Sequence, residues 1–256
     1  MPAKLNYNME VYFGLFGAIT TAICVFTAAF LTPDFDFMKH YVSDLGSMQF
    51  KSLFSIGFVI GGSLGIPFFI YLERELIAIK ESVRRLATGA SIFTAVCVAL
   101  VGIIPDDSYL EIFLIFHAFV ASIAFIGSCI YITLYSYLMY KGPKSKLYTG
   151  PIFKKVLAYY GFSINIALVL FYITWSSIIE WILFILIFLW VVITGITLLE
   201  FRFFNIAGVY YRRGKFPEAL ERFEESLKIL NELGIKEHPI SETIKDNIEY
   251  LKKKVK

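Results

Sequence analysis

Trp181-Ile-Leu-Phe-Ile-Leu-Ile-Phe-Leu-Trp-Val-Val-Ile-Thr-Gly-Ile-Thr-Leu-Leu199 is nineteen residues without a charge, held between Glu180 and Glu200. At 1.5 Å rise per residue a helix of this length covers about 28 Å, close to the ~30 Å hydrocarbon core of a bilayer. Five more runs of the same kind precede it, at about 11–31, 52–72, 86–104, 112–140 and 156–174. All 45 Asp, Glu, Lys and Arg residues of the 256-residue chain fall outside the six runs. A charge at the centre of a membrane helix costs about 2.5–3.5 kcal/mol, so this exclusion is what lipid burial demands. The expected fold is an all-α, six-helix transmembrane bundle over residues 1–199, followed by a helical tail over 200–256.

Basic residues sort the loops into two classes. The 73–85 loop holds four, the 141–155 loop five and the tail from 201 onward twelve, whereas the 105–111 and 175–180 loops hold none. The positive-inside rule then predicts both termini in the cytoplasm of a cell-membrane protein, with 32–51, 105–111 and 175–180 on the outer face. A cleaved signal peptide is not expected, because the first apolar run exceeds the usual 7–15 residue core and one Lys precedes it. The net charge of +3 follows from topology, and no basic stripe points to nucleic acid. Cys24, Cys97 and Cys129 all lie inside spans, so neither a disulfide framework nor a cysteine metal site is expected. Gly57, Gly61 and Gly65 share one face of the second span. That face suits close packing inside the monomer or a homo-oligomer contact. Pro67 and Pro105 are expected to kink or end their helices.

Phe204-Asn-Ile-Ala-Gly-Val-Tyr-Tyr-Arg-Arg-Gly-Lys-Phe-Pro-Glu-Ala-Leu-Glu-Arg-Phe-Glu-Glu-Ser-Leu-Lys-Ile-Leu230 closely resembles a tetratricopeptide repeat, two antiparallel helices across a short turn. The resemblance implies that Tyr211 and Gly214 end the first helix and Phe216 packs at the turn. Ala219 is then the small contact of the second helix, followed by Phe223 and Leu227. Ala207 and Ser226 depart from the usual Gly and Ala of the family. Ile244, Ile248 and Leu251, spaced four and three apart, suit a capping helix. The absence of a hydrophilic linker after Leu199 predicts that span six continues into the first tail helix. Such repeats bind proteins or peptides, which would make a cytoplasmic protein the partner; a folded cap with no partner is the plainer reading.

The predicted outer face gathers His40, Ser43, Asp44, Asp106, Asp107, His117 and Glu180. His117 is the most telling, because an ionisable side chain about two turns into a span should face the bundle or a wet cavity. Ser43-Asp44-Leu45-Gly46, Pro105, His117 and Glu180-Trp181 resemble an uncharacterised family of six-span prokaryotic membrane proteins. More distantly they are similar to the DRAM/Sfk family, from whose Ser-Asp-Thr-Gly the chain departs at Leu45. That resemblance implies a membrane domain tied to lipid distribution or trafficking rather than to a known reaction. Three roles for the cluster compete. It is structural, with Asp44 capping a turn or pairing with His117; it binds a lipid headgroup or small solute; or His40, Asp44 and His117 hold a metal for intramembrane hydrolysis. No cofactor or metal is expected. The favoured function is a non-enzymatic membrane scaffold or sensor, and the alternative is a metal-dependent lipid hydrolase.

Overall fold

Acidic residues open most of the membrane helices, as the partial positive charge of a helix N-terminus favours. Glu10, Glu81, Glu111 and Glu180 all lie in first turns. The computed structural model describes residues 9–76, 79–104, 111–142, 150–151, 153–212, 214–232 and 239–255. Its helices are α1 (Glu10–Leu31), α2 (Lys51–Glu75), α3 (Glu81–Ile103), α4 (Glu111–Lys141), α5 (Lys155–Thr174), α6 (Ser177–Arg212), α7 (Phe216–Glu232) and α8 (Pro239–Val255). A short 3-10 turn, Ser43–Gly46, interrupts the first long loop. No strand occurs among the described residues. Among the described residues six helices, α1 to α5 and Ser177–Arg202 of α6, are long and apolar enough to cross a membrane.

The helices outrun the apolar runs at their ends by accepting charged residues. Glu180, expected in a loop, therefore sits in the first turn of α6. Likewise α3 begins at Glu81, five residues before its apolar run. Pro67 lies inside α2, which continues eight residues beyond it to Glu75.

The chain divides into two compact units, 1–195 and 196–256, and α6 contributes residues to both. Within the first unit, α1 packs on α2, α2 on α3, α3 on α4 and α4 on α5. Glycines set the closest approaches. A Cβ on Gly61 would stand 2.2 Å from Thr21 Oγ1, and one on Gly62 would stand 2.4 Å from the Ala95 carbonyl oxygen. Two neighbouring residues of α2 thus admit α1 on one side and the α3 backbone on the other. This is the small-residue contact that replaces hydrophobic driving force in lipid. The Thr21 hydroxyl sits 2.8 Å from the carbonyls of Gly17 and Gly57, so it can bond within its own helix or across to α2. Between α4 and α5, Asn165 donates to Thr133 Oγ1 at 2.8 Å. Large apolar side chains such as Phe16, Phe30, Val156 and Ile173 stay exposed on the outside of the bundle. In water that surface would be untenable; in lipid it is ordinary.

In the second unit the end of α6, α7 and α8 share one apolar core. Ala207, Ala219, Phe223, Ile244, Ile248 and Leu251 are buried together, with Tyr210, Phe216, Leu220 and Leu227 packed against them. Gly214 turns the chain with φ +71°, a conformation glycine adopts without a Cβ clash. Its N–H donates to the Tyr211 carbonyl, and the Lys215 N–H donates to that of Tyr210. The Tyr211 ring lies 5.9 Å from Phe216 and 6.2 Å from Tyr250.

Candidate functional site

The loop after α1 is strapped to the start of α6. Four hydrogen bonds join segments about 140 residues apart in sequence. Ser177 Oγ donates to the Met38 carbonyl at 2.7 Å, and Trp181 Nε1 donates to that of His40 at 3.0 Å. The Val42 N–H donates to Glu180 Oε2 at 3.2 Å, and the Tyr41 hydroxyl donates to the Trp175 carbonyl at 2.5 Å. The Val42 bond is buried and those of Ser177 and Trp181 are half-buried, so these three satisfy polar groups that a low-dielectric surrounding would otherwise penalise; the Tyr41 bond is exposed. Trp175 itself is left-handed at φ +48°, and ends α5 by donating its N–H to the Phe171 carbonyl at 2.7 Å. The loop is also wedged by apolar contacts. Trp181 lies within 4.8–6.2 Å of the rings of Phe26, Phe35, Phe37 and Phe184. Val42 and Leu45 are buried in the cluster that holds Val25, Phe54, Val101 and Val120.

The polar residues singled out from sequence have distinct places. His40 accepts the Asp36 N–H on Nδ1 at 3.0 Å, and its ring lies 5.1 Å from Phe35. Asp44 Oδ2 accepts the Tyr41 N–H at 2.7 Å, so its carboxylate ties back the approach to the 3-10 turn. Only Ser43–Gly46 is helical there, and His40 and Asp44 serve different turns. Asp36 braces the preceding bend. The Met38 N–H, helped by Lys39, holds its carboxyl below the usual carboxylate range.

His117 is buried, 2% exposed, and donates from Nδ1 to the Ile104 carbonyl at 2.7 Å. Ile104 caps α3 in an extended conformation, φ −96° and ψ 111°, as the residue before a proline prefers. The bond thus closes one of the carbonyls that a helix end leaves open. A carbonyl only accepts, so Nδ1 carries hydrogen. Nε2 is buried with no hydrogen-bond partner among the described residues. The expected Asp44–His117 pairing is therefore not formed: His117 spends its one bond on the α3–α4 connection. Asp106 and Asp107 lie outside the described residues. Among the described residues no three His, Cys, Asp or Glu side chains converge to hold a metal ion.

Ser43 and Glu180 both line a cavity of about 150 Å³ within the bundle, on the side of the first loop. Glu180 is 4% exposed. The rest of the wall is largely apolar, with Phe54, Phe68, Phe69, Tyr131 and Phe184 among its residues. Sequence reasoning missed this cavity and the strap. The one available signal was the Glu180-Trp181 pair, whose two side chains each bond the first loop.

Six membrane-length helices, an apolar exterior and a polar-capped interior define an all-α, multi-pass integral membrane protein. The chain belongs to a family described as protein of unknown function (DUF998), which it matches over residues 15–197. No curated protein matches it, and no solved structure does.

Proposed function

We propose that this protein is a membrane scaffold or sensor that holds a lipid or small ligand at the pocket formed by the 36–47 loop and Glu180. The observation that carries this reading is that Ser43 and Glu180 line a largely apolar cavity. A few polar groups in an apolar recess are the usual make-up of a ligand site. The distribution of basic residues supports placing this loop outside a cell membrane with both termini cytoplasmic. It agrees with the lipid-linked roles that the distant DRAM/Sfk resemblance implies.

The 204–230 segment is, in this proposal, a single tetratricopeptide repeat capped by α8, and it recruits a cytoplasmic protein or peptide. Its support is the shared core of Ala219 and Phe223 with Ile244, Ile248 and Leu251, together with the left-handed Gly214 at the turn. Metal-dependent lipid hydrolysis has no comparable support, since no ligand set converges among the described residues.

Native mass spectrometry of protein extracted from membranes tests the pocket. A co-purifying lipid should be present on the unaltered chain and depleted by Ser43→Ala together with Glu180→Gln. Equal occupancy in the variant would overturn the site. Truncation at residue 203 should abolish partner pull-down while leaving membrane insertion intact; retained capture would remove the recruiting role.

A further inference from the structure

At the end of the bundle where α2 passes into α3, arginines and lysines are used differently. Each of three arginines is matched by a carboxylate: Arg74 pairs with Glu10, Arg84 with Glu73 and Arg85 with Glu81. Glu75, the other acid of that stretch, lies against Tyr71 and Arg74. The lysines converge on a ring instead. Lys80, just before α3, and Lys141, the last residue of α4, come from different connections, yet both bring their ammonium groups to Tyr137. Their Nζ atoms stand 5.1 and 5.8 Å from the centre of its ring. Neither lysine pairs with a carboxylate among the described residues. In sequence the 141–155 connection holds five lysines and no Asp or Glu, so it brings no acid of its own.

A ring face attracts one cation, but a second ammonium at the same ring adds repulsion that the ring does not offset. An anion beside both would. The backbone helps to hold Lys80 in place. It has φ +23° and ψ 78°, a conformation that residues with a Cβ rarely adopt, and its carbonyl accepts the Arg84 N–H of α3 at 3.1 Å. Ile79 beside it is buried. Because α3 begins at the next residue, the partial positive charge of its N-terminus adds to that of the Lys80 ammonium. Lys80 and Lys141 are exposed and Tyr137 is half-buried, at the ends of membrane-length helices, where lipid headgroups stand. In the topology proposed above this end is cytoplasmic, on the leaflet whose surface is negative.

We propose that Lys80, Lys141 and Tyr137 form a site for a phosphate group, carried by an anionic lipid headgroup or free in solution. The two ammonium groups supply the charge, and the Tyr137 hydroxyl can donate to a phosphate oxygen. None of the three lines the cavity that holds Ser43 and Glu180, so the two sites are separate.

The test follows thermal unfolding of the full chain in a non-ionic detergent, titrated with phosphatidylglycerol, phosphatidylcholine or inorganic phosphate, the last against chloride at equal ionic strength. Stabilisation by phosphatidylglycerol in preference to phosphatidylcholine assigns the headgroup. Stabilisation by inorganic phosphate without that preference assigns free phosphate. In either case Lys80→Gln and Lys141→Gln should each weaken the binding about fivefold, and the double variant should weaken it further. Arginine at both positions should retain it, which separates lost charge from lost folding. Lys51→Gln, at the opposite end of α2, should leave it unchanged. Undiminished binding by the double glutamine variant would overturn the site, and so would the absence of any preference among the three ligands on the unaltered chain.

Discussion

The bundle of residues 1–195 and the unit of 196–256 are both helical, yet they are held together by different forces. In the tail unit, apolar residues retreat inward: Phe223, Ile248 and Leu251 are buried while Glu224, Glu249 and Lys252 face out. In the bundle, apolar residues lie on both sides of the helices, and the interior is marked instead by small and hydroxylic residues such as Gly62, Thr88, Ser91 and Thr94. Water expels apolar surface and so supplies most of the drive to close the tail. Lipid does not, leaving the bundle to close packing and buried hydrogen bonds.

The largest expected effect is a contrast between two phenylalanines. Phe223→Ala should destabilise the tail by about 3–5 kcal/mol, since both the transfer of the ring from water and the filled volume are lost. Phe68→Ala, equally buried in the bundle, should cost clearly less, because a ring leaving that site enters lipid rather than water. Hydrogen exchange of α7 and thermal unfolding of the bundle in detergent give the two values. A bundle loss equal to the tail loss would break the comparison.

Glycines sharpen it from the other side. Gly62→Ala drives a methyl into the α3 backbone and should cost about 1–3 kcal/mol as overpacking. Gly89→Ala, with nothing within 4 Å of its new Cβ, should instead stabilise α3 by about 0.5–1 kcal/mol through backbone entropy. Detergent melting of the two variants should shift in opposite directions.

A smaller change concerns Ser226, which is 3% exposed with a hydroxyl that finds no partner among the described residues. Ser226→Ala should stabilise the tail by about 1 kcal/mol, since it removes a desolvated polar group from an apolar contact. A loss of stability, read by α7 exchange, would mean that the hydroxyl is bonded in solution. The smallest effect belongs to the exposed Asp36. Its carboxyl is held low by the Met38 N–H and Lys39, so its contribution is complete above the ordinary carboxylate range. That contribution is lost as pH falls through the depressed value. Limited proteolysis of the 36–40 bend should quicken in that acid window in the unaltered chain and show no such step in Asp36→Asn.

Much of the architecture was legible in sequence. Six charge-free runs gave six membrane-length helices because charge exclusion is a one-dimensional property that a bilayer reads directly. The continuity of span six into the tail was visible too, in the missing linker after Leu199, and α6 runs unbroken to Arg212. The polar site was legible only as a set of residues. Nothing in the order of residues says that His117 turns to the Ile104 carbonyl rather than to Asp44, or that Trp181 reaches back to His40. Those choices depend on which helix ends lie side by side.

What the sequence by itself determined is therefore the number of the apolar helices and the helical character of the tail. Each follows from local composition, through transfer cost or periodicity. The tertiary structure alone decided that Ser43 and Glu180 line one largely apolar cavity and that Gly61 and Gly62 face different neighbours. It also decided that the first loop is strapped to α6. These are distances between segments up to about 140 residues apart, and they exist only after α1, α2, α3, α4 and α6 have packed.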